Sequence, residues 1–179
     1  MKSLLPTGMA MLTIRPERPE DIPVVWQVNA AAFGRSAEAD LVDTLRGRGV
    51  VTLSLVAIEE APIVGHILFT PVTIERKEET HTAVALGPLA VLPAHQNRKI
   101  GSQLVTAGLA ACRSAGHGVV IVLGHPGYYP RFGFVPAFRH GIRWEQDIPD
   151  EVFMVVELLP GALSGVRGVV RYQPEFAAL

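Results

Sequence analysis

The stretch with the clearest chemical potential is Gln96-Asn-Arg-Lys-Ile-Gly101. This polar hexapeptide separates an apolar run, Leu86 to Leu92, from a small-residue helix that begins at about Ile100. Strand, tight loop and helix in that order aim several free backbone N–H groups at one place. The first turn of a helix leaves four donors without intrahelical partners, and the aligned peptide dipoles add about half a positive charge there. The chemistry this suits is anion binding, most often of phosphate. Arg98 and Lys99 add side-chain charge inside the loop. The Gly-Lys-Ser/Thr ending of a nucleoside-triphosphate loop is absent, and so are the three spaced glycines of the dinucleotide fingerprint.

Charge is distributed to match. The net charge is −1, yet residues 80–144 hold no Asp or Glu at all, where average usage predicts about six. The same span carries Arg98, Lys99, Arg113, Arg131, Arg139, Arg143 and five of the six histidines. One part of the chain is therefore suited to an anion. A pI near 6.6 is far below that of an ordinary nucleic-acid-binding domain, so no nucleic-acid partner is expected.

The elements that must position the loop can be read in order. Leu12 to Arg15 is a first strand, and Pro19-Glu-Asp21 opens a helix with Ile22, Val25, Val28 and Ala32 on its inner face. Gly34 closes it, and Ser36 is the expected cap of a second helix with Leu41, Val42 and Leu45 inward. Strands are expected at Val51–Ile58, Ile63–Ile74 and about Ala83–Leu92, with a bulge or bend at Gly65 or Pro71. His66 reads as a histidine satisfied by the sheet. After the central helix come a buried strand, Val119–Leu123, a late strand from Met154 to Leu159, and a final one within Val166–Tyr172.

At 179 residues and 49% hydrophobic, the chain is expected to form one α/β domain over residues 11–179, preceded by an extension, residues 1–10. No apolar run is long enough for a membrane span or a signal peptide. The single cysteine, Cys112, excludes an internal disulfide and a multi-cysteine metal site, and its expected place is a buried helix face. A cytoplasmic protein without a metal is the expectation.

Leu89-Ala-Val-Leu-Pro-Ala-His-Gln-Asn-Arg-Lys-Ile-Gly-Ser102, followed by Tyr129-Pro-Arg-Phe-Gly-Phe134, resembles the GNAT superfamily of acetyl-CoA-dependent N-acyltransferases. The form Gly-His-Pro-Xaa-Tyr-Tyr-Pro-Arg-Phe-Gly-Phe is most similar to its YhbS-like branch. The resemblance covers about residues 11–160. It implies a GNAT-type fold: a mixed, mostly antiparallel central sheet flanked by helices and splayed at strands 4 and 5. It also implies acetyl-CoA as cosubstrate and direct transfer of the acetyl group to a primary amine of a small molecule or a protein. By the matching positions, Leu89, Ala90 and Val91 follow the pantetheine arm. Gln96, Asn97, Arg98, Lys99, Ile100, Gly101 and Ser102 hold the pyrophosphate, and a free N–H near Leu89, at a bulge beside Pro88, polarises the thioester carbonyl.

Tyr129 aligns with the family's general acid. A phenol with an ordinary pKa near 10 can protonate a thiolate whose parent thiol titrates near 8.5. Tyr128 is expected to be the more buried of the pair. Lys99 departs from the pattern, standing where the family usually has glycine. It fits without strain only if its backbone stays right-handed.

No general base is identified. Glu157, Glu38, His125, His95, a water chain and a backbone carbonyl all stay open. The acceptor is expected near Phe33–Ala37 and Phe138–Asp150, with Trp144, Asp147 and Asp150 available to a cationic amine. Homodimer formation is open. The alternatives are a CoA-binding regulatory or sensing module without efficient catalysis, and an interaction domain without a ligand.

Overall fold

The computed structural model describes residues 11–179; the extension expected at residues 1–10 lies outside the described residues. Among the described residues, nine strands form one mixed sheet. β1 (Leu12–Pro16), β2 (Leu53–Glu59), β3 (Ile63–Arg76) and β4 (Glu79–Val91) run antiparallel in sequence order. β4 then pairs in parallel with β5 (Val119–Leu123), which leads to β8 (Phe153–Glu157) and the short β6 (Val135–Pro136). β7 (Ile142–Trp144) and β9 (Gly168–Arg171) pair in parallel, and β9 attaches to the far end of β3. Helices α1 (Ile22–Phe33) and α2 (Ala37–Gly47) cover one face, burying Val25, Val28, Leu41 and Leu45 against Val56 and Leu68. Helix α3 (Ile100–Ser114) covers the other, with Leu104, Val105 and Cys112 packed over Ile67, Phe69 and Val84. The strands and helices expected from the sequence all appear, in the expected order.

Two glycines let α3 lie close to the sheet. A Cβ on Gly108 would sit 2.4 Å from the Phe69 ring, and one on Gly65 would sit 2.9 Å from Leu104. Gly65 also borders the expected bulge: Ala57 faces Gly65 and Ile58 faces Ile63, so Val64 is the extra residue on β3, while Pro71 pairs in register with Val84. A second bulge falls on β4. Ile67 faces Leu89 and Phe69 faces Leu86, so Gly87 and Pro88 together oppose Leu68.

Other expectations are corrected in detail. Pro19–Asp21 is a separate 3₁₀ turn before α1, and Ser36 precedes α2 without a side-chain cap bond. His66 is satisfied by side chains. Its Nδ1 accepts from Asn29 Nδ2 at 2.9 Å, and its Nε2 lies 3.0 Å from Ser54 Oγ. Strands β6 and β7 have no counterpart among the expected elements; two or three residues are too few for a periodic signal.

Candidate active site

β4 and β5 pair only at Val84–Leu86 and Val120–Val122, then separate. The Leu92 N–H donates to the Val64 carbonyl at 2.9 Å, which sets the alternation along the ladder. Ala90 therefore bonds toward β3, while the backbone groups of Leu89 and Val91 face the gap left by β5. The Val91 carbonyl accepts Gln96 Nε2 at 3.0 Å, so this glutamine braces the strand end. The other outward groups, both N–H donors and the Leu89 carbonyl, stay open to the gap.

The loop that follows is built for an anion. Asn97 and Lys99 have φ of 61° and 63°, left-handed values on either side of Arg98. Such alternation turns successive N–H groups inward. The first bond of α3 runs from Gln103 N–H to the Lys99 carbonyl. Among the described residues, no protein acceptor takes the N–H groups of Asn97 through Ser102. Lys99 thus occupies the left-handed conformation for which glycine is the strain-free residue, at a cost of about 1 kcal/mol.

The two cations of the loop differ. Arg98 pairs with Glu59 at the end of β2, with Nη1 3.0 Å from Oε2, and His95 Nδ1 approaches the same carboxylate at 2.7 Å. These contacts fix the loop against β2 and occupy the Arg98 charge. Lys99 is exposed and forms no ion pair among the described residues.

Where the strands part, a cavity of about 710 Å³ opens, bounded by the β4 bulge, the end of β5 and the 3₁₀ turn Tyr129–Phe132. Tyr129 and Tyr128 both line it, with burial opposite to expectation: Tyr129 is only 8% exposed, and Tyr128 is half-buried. Tyr129 inserts between Phe134 and Tyr128, edge-on to both rings. The edge of its ring also abuts Gly124, where a Cβ would be 2.2 Å from Cε2. Burial, and then the neighbouring Tyr128, push its phenol up, so it stays protonated through the neutral range. Tyr128 reaches elsewhere. Its hydroxyl is 3.3 Å from Ser102 Oγ and would be 3.1 Å from a Cβ at Gly101, so it stands over the start of α3. The doubled tyrosine is the sequence's hint of this second role; which ring faces the core is not legible there.

Of the carboxylates considered as bases, Glu38 lines this cavity and Glu157 does not. Glu157 accepts the N–H groups of Gly161 and Leu163 at 3.2 and 2.7 Å, capping the turn after β8. Glu38 is 5% exposed and holds Arg35 at 2.5, 3.0 and 3.1 Å. That guanidinium outweighs burial and keeps its carboxyl below the usual range. His125 lines the cavity, whereas His95 is engaged at Glu59. Phe33 and Trp144 are there as expected; Asp147 and Asp150 border a separate depression. Tyr172 and Phe176, from the C-terminal segment, complete the wall and carry no motif that would mark them.

A family model described as "Acetyltransferase (GNAT) domain" matches residues 13–137. The chain belongs to the GNAT family of N-acetyltransferases. It is 36% identical over 166 residues to the N-acetyltransferase YhbS of Escherichia coli K12, spanning 92% of this chain and 98% of that protein. The N-acetyltransferase YjhQ of the same organism is 40% identical over 134 residues, 73% of this chain and 74% of that one. Among solved structures, YhbS from Escherichia coli in complex with CoA superposes with a TM-score of 0.90 at 34% identity, covering 97% of this chain and 96% of that one. A GNAT acetyltransferase from Brucella melitensis in complex with acetyl-CoA gives 0.76 at 36% identity, covering 94% and 99%. This GNAT chain is thus an N-acetyltransferase in which Leu89, from the first sequence motif, and Tyr129, from the second, line one cavity. Among the described residues, no helix is long and apolar enough to cross a membrane, and no group of three His, Cys, Asp or Glu side chains is arranged for a metal.

Proposed function

We propose that this N-acetyltransferase binds acetyl-CoA along β4 and the start of α3 and transfers its acetyl group directly to a primary amine. The observation that carries this is the run of free N–H groups from Asn97 to Ser102, which follows the open edge of the strand whose Leu89 lines the cavity together with Tyr129. The Brucella relative in complex with acetyl-CoA, 36% identical over most of both chains, supports the same reading. The pyrophosphate is held by the left-handed turns and the α3 dipole, with Lys99 as the free cation. The amide groups of pantetheine pair with Leu89 and Val91 as an added strand would, and the outward Leu89 N–H polarises the thioester carbonyl.

Chemistry then follows from the cavity's residues. Glu38, kept ionised by its pairing with Arg35, faces the acceptor amine and accepts a further hydrogen bond from it. The fraction that has lost its proton attacks the carbonyl carbon. The tetrahedral intermediate loses an N–H proton to solvent and expels the CoA thiolate, which takes a proton from the Tyr129 hydroxyl, and the phenolate is then reprotonated from solvent. The net products are the N-acetyl amine and free CoA. Burial weakens Tyr129 as an acid, and desolvation in the same direction makes a departing thiolate more basic. General acid catalysis of this kind contributes roughly 10²- to 10⁴-fold.

The test is thiol release from acetyl-CoA across an amine panel, with CoA binding followed separately by calorimetry. Tyr129→Phe is expected to bind CoA normally and to lose about 10² or more in kcat. Absence of CoA binding by the unaltered protein overturns the proposal, and unchanged kcat in Tyr129→Phe removes the general acid. CoA binding without transfer to any amine favours the sensing-module alternative.

A further inference from the structure

Tyr128 lines the same cavity as Tyr129 but has no part in the transfer described above. It follows the end of β5, yet its hydroxyl lies at the first turn of α3, across the gap that opens between β4 and β5. Ser102 Oγ is 3.3 Å away. A Cβ at Gly101 would be 3.1 Å from the hydroxyl and 3.8 Å from the side chains of Leu89 and Val91. The bare backbone of Gly101 is therefore where the strand end, the helix start and this one side chain meet.

The ring is held on several sides. Its backbone N–H donates to the His125 carbonyl at 3.0 Å. Tyr129 and Phe132 meet the ring edge-on, with centroids 5.1 and 5.4 Å away. Arg131 lies over its face, 4.7 Å from the centroid, and donates to the carbonyls of Tyr128 and Gly127 at 2.9 and 3.3 Å. The ring face attracts this guanidinium, which brings positive charge close to the start of α3. The contact with Ser102 is longer than an ordinary O–H···O bond of about 2.7–2.8 Å. Two hydroxyls at that separation do not satisfy each other. A phosphate oxygen beside the free N–H groups of Gly101 and Ser102 can accept from both.

We propose that Tyr128 is a cofactor-positioning residue whose hydroxyl, together with that of Ser102, clamps the CoA diphosphate against the first turn of α3. The loose contact between two neutral hydroxyls is then exchanged for two charge-assisted bonds, which are shorter and stronger. Gly101 lacks a side chain at the one point where a Cβ would press on this hydroxyl. The doubled tyrosine thus serves the two ends of one cofactor, Tyr129 the thioester and Tyr128 the phosphates. The inference rests on the acetyl-CoA binding proposed above and adds a side-chain clamp to a site otherwise made of backbone groups.

The experiment measures CoA affinity by calorimetry in the unaltered protein, Tyr128→Phe, Ser102→Ala and the double variant, with acetyl-CoA kinetics and phosphorus NMR of bound CoA in parallel. Tyr128→Phe keeps the ring and its contacts with Tyr129, Phe132 and Arg131, so its effect reports the hydroxyl. It is expected to weaken CoA binding and raise the KM for acetyl-CoA about tenfold, as for a lost hydrogen bond to a charged group, with kcat changed less than twofold. The diphosphate resonances are expected to move and the 3′-phosphate resonance to stay. The losses from Tyr128→Phe and Ser102→Ala should not add, because both hydroxyls meet one group. Absence of CoA binding by the unaltered protein overturns the acetyl-CoA reading itself. With CoA bound, the inference alone is overturned if Tyr128→Phe leaves affinity within twofold or lowers kcat rather than raising KM. It is also overturned if the 3′-phosphate resonance moves in place of the diphosphate, or if the two losses add.

Discussion

The cofactor half and the acceptor half of this site are built from different materials. Along β4 and into α3, the working groups are main-chain N–H and C=O groups, exposed because β5 diverges and because α3 starts without a side-chain cap. Across the cavity, the working groups are side chains: Glu38 from α2, Trp144 from β7, and Tyr172 and Phe176 from the C-terminal segment. Backbone groups can hold a constant ligand while their side chains vary, since every residue other than proline offers the same donor and acceptor. A wall of side chains changes its ligand whenever one residue changes. The division teaches that the cofactor half should tolerate most side-chain substitutions that leave its backbone in place. The acceptor half should not.

The largest expected break in that comparison comes from the residue where the halves meet. Gly124→Ala would place a methyl group 2.2 Å from the Tyr129 ring and force it aside. Misplacement of a reacting group by about 1 Å can lower turnover by about 10². CoA affinity should be nearly unchanged, and steady-state kinetics beside calorimetry would separate the two. A loss of CoA affinity equal to the loss of turnover would mean that Tyr129 belongs to the cofactor half. Next in size, Glu38→Gln should reduce kcat/KM for a cationic amine by roughly 10- to 100-fold, the range expected for losing a charge-assisted hydrogen bond. Acetyl-CoA KM should not move.

In the cofactor half, Lys99→Gly sharpens the comparison by setting backbone against side chain. Relief of the left-handed strain should raise stability by up to about 1 kcal/mol, less the entropy that glycine loses on folding. CoA affinity should fall modestly if the ammonium touches phosphate. Melting curves with and without CoA report both effects, and unchanged affinity would take the Lys99 ammonium out of the site.

The smallest effect lies beneath the site, at His66. Burial lowers its pKa from the ordinary 6.5, with Glu17 opposing. Asn29 Nδ2 also donates to the Val25 carbonyl, so the amide is fixed as a donor to Nδ1 and the ring is neutral. The unfolded chain then binds a proton below pH 6.5 that the folded chain refuses, so stability falls as pH drops through that value. Glu17 acts in the same direction. Burial raises its carboxyl, but hydrogen bonds from His66 and Ser54 and the Arg46 charge leave it lowered, and its contribution is lost as pH falls further. Urea melts from pH 5 to pH 8 should show stability rising and then levelling above about pH 7. A flat profile in the native protein would contradict the assignment.

Much of the cofactor half is legible in the amino-acid sequence. Gln96 to Ser102 lies between a strand and a helix whose apolar patterns are unambiguous, and local sequence sets where a helix begins and which N–H groups it leaves free. Cys112 on the buried face of α3 and the strand Val119–Leu123 are equally local deductions. The left-handed Lys99, the bulge at Gly87–Pro88 and the burial of Tyr129 rather than Tyr128 depend on what packs against them. For that reason the sequence points to the wrong ring of the tyrosine pair. The acceptor wall lies furthest from reach. Trp144 meets Tyr172 only because a three-residue strand pairs with a four-residue one, and the choice of Glu38 over Glu157 depends on which of two distant carboxylates the fold turns inward. Sequence by itself determined the groups that act through the backbone, because their chemistry is set by neighbours along the chain. The tertiary structure alone decided the groups that act through side chains brought from afar, because long-range packing sets which of them share a cavity.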